Sequence, residues 1–235
     1  MENTNSNNKR QKNTKESKPN IFLKGFVNLV GYGCFAALNL VRLPYFSIKK
    51  KATKNRAINL AKGLKFPLNG QSVGDLKDMR IGSCDFAHSG CGAIATFNVL
   101  SMVGRKPQME EIVDFYERKG LVFNARFGIN PTSVKRFLTE QNLSWKFYSG
   151  KKDWDACIQE NQVAILMYWW VSSKGCGAHY VSVEKLSDKV RVYNVYGNRD
   201  TAYEYKDIQT FLSSDKYKRV VAMFVIDREV HKTTI

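Results

Sequence analysis

Three side chains in this sequence could together break an amide bond: Cys91, His179 and Asn194. Cys91 lies in Ser89-Gly90-Cys91-Gly92-Ala93, where a glycine-containing loop is predicted to become a helix. Unsatisfied N–H groups and the helix dipole at such a point favour a thiolate, lowering a thiol from its free pKa of about 8.5. Small neighbours let a substrate carbonyl approach, so Gly90 and Gly92 are cleft candidates. The N–H of Cys91 can itself point into an oxyanion hole.

The base is read from a hairpin. His179, Val181 and Val183 alternate onto one face of a strand, and Val190, Val192 and Asn194 onto one face of the next. A turn at Leu186-Ser187 sets Val183 against Val190, Val181 against Val192 and His179 against Asn194. Moving the turn to Ser187-Asp188 slips the register by two residues and keeps all six on the same face. A buried imidazole without a partner is costly. The amide oxygen of Asn194 would accept from one ring nitrogen, leaving the other to take the thiol proton.

The elements that must hold these groups are helical first and sheet second, the order of an α+β fold. Helices are predicted over 92–103, from Pro107 to Gly120, and from Pro131 through Leu138. Strands follow near 145–148, 163–171, 178–184, 190–196 and 220–226, with short helices near 154–159 and 207–213.

These residues resemble the papain-like cysteine peptidase superfamily, and most closely its bacterial peptidase C39-like branch. The similarity lies in SGCGAIATFNVL around Cys91, GAHYVSVEKL around His179 and VRVYNVYG around Asn194, over about residues 75–227. It implies a papain-like α+β fold, with the nucleophile-bearing helix in an N-terminal helical half packed on an antiparallel sheet. It also implies a thioester acyl-enzyme formed on a peptide or related amide, and no cofactor. Two departures stand out. Gly92 follows the cysteine where plant and lysosomal papains have an aromatic residue, and the usual oxyanion glutamine a few residues upstream is missing.

Asp85 stands six residues before Cys91, and an ionised carboxylate there would repel a developing oxyanion. Gln71, His88 and Ser89 are the other oxyanion candidates. Gly177, Ala178 and Trp170 are further cleft candidates around the loop that precedes His179. A rival reading gathers Cys84, His88, Cys91, Cys176 and His179 around zinc, but it leaves Asn194 unexplained. Acyl transfer or deamidation by the same three residues, or an inactive binding module, stay open as well.

Composition bounds the rest. The 235 residues carry a net charge of +16, but residues 1–65 hold 14 Lys and Arg against 2 acidic residues, leaving 23 against 19 for the remainder. A basic arm before a nearly balanced domain does not read as a nucleic-acid surface, so no nucleic acid is expected as a partner. Residues 1–20 are polar and are expected to be disordered.

Residues 21–65 form an apolar and basic arm: an anchor, a pro-segment or a packed helix. The uncharged stretch 25–41 and the lysines at 49–51 suit contact with a membrane surface through residues 21–51. Residues 66–235 are expected to be the catalytic domain. Five cysteines at irregular spacing imply no disulfide framework. Cytoplasmic, membrane-associated and secreted locations all remain open.

Overall fold

Two long strands of this chain are apolar on both faces, and such strands need a covering layer on each side. In the computed structural model, which describes residues 45–60, 63–173, 175–215 and 217–228, these are β4 (Gln162–Ser172) and β8 (Tyr217–Asp227). They pair in the middle of a six-stranded antiparallel sheet. The expected disorder of residues 1–20 and the stretch 25–41 lie outside the described residues. Among those described, no helix is long and apolar enough to cross a membrane.

The chain enters through α1 (Tyr45–Asn59), then a small hairpin of β1 (Arg80–Ile81) and β2 (Cys84–Asp85). It continues into α2 (Phe86–Ser89), α3 (Cys91–Met102), α4 (Met109–Lys119) and α5 (Pro131–Glu140). The sheet follows with β3 (Trp145–Tyr148), β4, β5 (Gly175–Lys185), β6 (Val190–Tyr193) and β7 (Tyr203–Tyr205), then α6 (Ile208–Leu212) and β8. Its strand order is β3-β8-β4-β5-β6-β7. The architecture is thus mixed α+β, with α3, α4 and α5 on one face of an antiparallel sheet.

The sheet divides two cores. Val163, Ile165, Met167 and Tyr180 face the helices, and Ala164, Leu166, Tyr168, Val181 and Val183 face a second layer that includes α6 and Trp154. Helix α3 is buried from Cys91 to Leu100 without a solvent face, as the central helix of a domain must be. It approaches the sheet closely because Gly92 has no side chain. A Cβ there would meet Ile129 at 2.9 Å and Tyr180 at 3.3 Å.

Local chemistry explains the helix starts. Asn130 accepts from the Thr132 N–H and Pro131 takes the first position of α5, while Asp207 accepts from the Thr210 N–H ahead of α6. The expected helix near 154–159 is a single 3₁₀ turn, Asp155–Cys157. Helix α1 falls in the arm, for which a packed helix was one of the three expectations, whereas the β1–β2 hairpin and strand β7 carry no periodic apolar signal and were not expected.

Within the arm, residues 45–59 are helical and pack on α4 and β1. Asn59 donates to and accepts from the Arg80 backbone at 2.8 and 2.9 Å. Asn55 donates to the Gly82 carbonyl and to Glu117.

Candidate active site

The nucleophile candidate is the first residue of α3. The junction differs from the loop-to-helix step expected, because the four-residue α2 precedes it and Gly90 links the two in helical geometry. The Gly90 N–H donates to the Phe86 carbonyl at 2.7 Å, and a Cβ at Gly90 would lie 2.4 Å from the Phe86 ring. Only glycine fits this bend.

Cys91 is 6% exposed, and burial pushes its thiol up. Hydrogen bonds from the backbone of Tyr180, Gly92 and Cys91 itself pull it down by less. The expected fall in thiol pKa from the helix terminus alone therefore does not occur. Burial outweighs three backbone donors, and ionisation near neutral pH needs a proton acceptor.

The candidate acceptor, His179, lies on β5. The Tyr180 backbone that bonds Cys91 belongs to the residue after His179. His179 is half-buried, cross-strand from Tyr168, whose ring stands edge-on to it at 5.8 Å. Tyr168 in turn packs edge-on against Phe211. Both Tyr168 and Tyr180 are held well above the usual phenol range, first by burial. Neither phenol is a base at working pH.

The hairpin takes the second of the two expected registers. Leu186 donates to the Lys189 carbonyl at 2.9 Å around Ser187-Asp188, so Val183 pairs with Val192 and Lys185 with Val190. Strand β6 stops at Tyr193, and Asn194 turns into the left-handed region at φ 61°. As a result the partner of His179 is not the Asn194 side chain. The His179 Nε2 lies 2.6 Å from the Asn194 backbone oxygen.

A carbonyl only accepts, so Nε2 carries the hydrogen, and whenever the ring is neutral its lone pair is on Nδ1. The Asn194 amide serves its own backbone turn instead. Its Oδ1 accepts from the Gly70 N–H at 3.0 Å, and its N–H donates to Asn69 Oδ1 at 2.8 Å. Asn194 Nδ2 is buried with no partner.

The oxyanion candidates separate clearly. Asp85 is exposed and ion-paired with Arg80 on the hairpin. His88 is exposed, with Nε2 3.3 Å from the Arg126 carbonyl. Ser89 is buried and donates its hydroxyl to the Ala125 carbonyl. Gln71 is 7% exposed, and its Nε2 donates to the Ala87 carbonyl at 2.5 Å, four residues before Cys91. Its Oε1 is buried without a partner.

Loop 121–129 ties these pieces together. It receives Ser83 and Ser89 on its carbonyls, and its Ile129 carbonyl accepts from the Tyr180 hydroxyl at 2.9 Å. On the other wall, the Trp170 indole lies 3.2 Å from where a Gly177 side chain would begin, and Ala178 is partly buried against the helix-side core.

Cys84, His88, Cys91, Cys176 and His179 do not gather into a metal-binding group; among the described residues none exists. Cys176 is exposed, while Cys91 is enclosed by backbone.

Sequence reasoning missed Asn69, Gly70 and Asn98. Asn69-Gly70 reads as a turn dipeptide, and nothing local marks a partner 125 residues away. A scan of protein-family models found no match for the chain, and a search of curated proteins found no significant relative.

Proposed function

We propose that the chain is a cysteine hydrolase acting on a peptide or related amide bond, with a papain-like arrangement of helices and sheet. One observation carries the reading. His179 has Nε2–H committed to the Asn194 carbonyl, while the next residue's backbone bonds the Cys91 sulfur.

The imidazole Nδ1 takes the Cys91 proton and the thiolate attacks the substrate carbonyl carbon, forming a tetrahedral oxyanion. The Cys91 N–H and the Gln71 amide are its donors. Collapse expels the amine, which takes the proton back from the imidazolium and leaves a thioester. Water, deprotonated by the same ring, releases the acid and restores the thiol. The Asn194 carbonyl stabilises the imidazolium, a role that backbone rather than side chain fills here. Acyl transfer and deamidation share these steps and differ in the acceptor or in the amine released.

An inactive binding module is favoured by a single feature, the burial that raises the Cys91 thiol. Alkylation of each cysteine against pH, read peptide by peptide, separates the two. The hydrolase reading expects Cys91 to label well below a free thiol's pKa of about 8.5, and to lose that reactivity in His179→Ala. Labelling of Cys91 only above that value, and equally in both proteins, selects the inactive module.

A further inference from the structure

The two halves of the proposed site are built from distant sequence, the nucleophile on α3 and the base on β5, and one short segment touches both. We propose that residues 68–72 are a tie that sets the imidazole against the thiol, with Asn69 as the positioning residue for His179; this rests on the hydrolase reading above.

The bonds run in both directions from the tie. Toward the nucleophile, Leu68 donates its N–H to Asn98 Oδ1 and accepts from Asn98 Nδ2, both at 2.8 Å. Asn98 lies two turns along α3 from Cys91, and its Nδ2 also reaches the Ser182 hydroxyl on β5 at 3.2 Å. Gln71 holds the Ala87 carbonyl just before Cys91. Toward the base, Asn69 accepts from the Asn194 N–H, Gly70 donates to Asn194 Oδ1, and Ser72 donates its N–H to the Gly197 carbonyl at 2.8 Å.

Asn194 is the point of delivery. A left-handed asparagine is uncommon away from glycine positions and persists when its surroundings over-determine it. Here Asn69 and Gly70 grip its N–H and its side chain, which leaves its carbonyl aimed at His179 Nε2. Gly70 has φ 70°, and a Cβ there would lie 2.7 Å from the Arg199 carbonyl oxygen, so the tie accepts no side chain at that position. Asn69 touches neither the thiol nor a reacting atom. It acts through the backbone of Asn194.

A matched control exists in Asn59, also buried, which makes two backbone bonds to Arg80 on the β1–β2 hairpin. The test uses the full chain as Asn69→Ala, Asn69→Asp and Asn59→Ala. It reads Cys91 alkylation by iodoacetamide across pH, the NMR signal of the His179 ring Nε2–H, and the melting temperature. Asn69→Ala is expected to lose at least about tenfold in alkylation rate below the free thiol pKa, and little above it, where the thiol ionises unaided.

Asn69→Ala should also lose the protected Nε2–H signal, and Asn69→Asp, which keeps the acceptor, should restore both. Asn59→Ala should melt lower with an unchanged pH profile. If Asn69→Ala does not fold, Asn69→Ser, with a shorter acceptor, is expected to show a partial loss of both signals. A wild-type profile and ring signal in the Asn69 variants overturn the proposal, as does an equal change in Asn59→Ala. If His179→Ala labels like the wild type, the hydrolase reading has failed. The ring signal still decides the tie, supporting it if lost in Asn69→Ala and overturning it if kept.

Discussion

A neutral imidazole whose Nε2–H is given to a carbonyl can take a thiol proton only at Nδ1. The identity of residue 194 then matters through its backbone conformation more than through its amide. Asn194→Asp keeps an acceptor for Gly70 and tolerates φ 61°, and Asn194→Gly keeps the φ alone, whereas Asn194→Val can hold neither. Alkylation of Cys91 below its free pKa should fall in the order Asp, Gly, Val. Equal loss in all three would assign the role to the side-chain amide instead. Gln71→Ala is expected to lower turnover of an amide substrate by about 10²–10³-fold, the loss typical of one oxyanion donor, and to lower Cys91 alkylation by much less.

At the scale of elements, α4 carries two testable contacts. A Cβ at Gly120, its C-terminal glycine, would lie 1.7 Å from Ser133 Oγ and 2.1 Å from Ser133 Cβ on α5. Gly120→Ala should cost about 1–3 kcal/mol in chemical denaturation, the usual penalty for overpacking. Glu117, on the same helix, is buried and accepts from Asn55 and Gly82. Its carboxyl is raised, first by burial.

The folded state therefore binds the Glu117 proton more tightly than the unfolded chain. Its contribution to stability is present below the unfolded pKa and is lost as pH rises through the raised folded value. Melting temperatures of Glu117→Gln, which keeps the acceptor oxygen, should gain on the wild type as pH rises across that window. A constant difference would remove Glu117 from the account.

For the whole molecule, α1 is fastened into the domain by Asn55 and Asn59, and Glu117 and the Arg80 backbone depend on it. A chain beginning at residue 61 would leave Glu117 with Gly82 alone and take both Asn59 bonds from the Arg80 backbone, at about 1–3 kcal/mol for each buried group left unpaired. It should melt lower than the full chain and label Cys91 no faster. Faster labelling at unchanged stability would show that the arm inhibits the site.

Much of the fold was legible because it is local. Proline and asparagine at the start of α5, aspartate before α6, and apolar runs for β4 and β8 each act within a few residues. Cys91 at a helix start and His179 on a strand were readable in the same way. Local signals also reached the hairpin's face, but not its register, since both turns keep the same residues inward.

What only the tertiary structure decided is how the site is held. The sequence determined which residues could do chemistry and roughly which elements carry them. It could not show that burial raises the Cys91 thiol, that a backbone carbonyl takes the place of the Asn194 amide, or that Asn69 and Asn98 lace the two halves together. Those outcomes depend on desolvation and on bonds between residues up to 125 positions apart, and neither leaves a periodic trace along the chain.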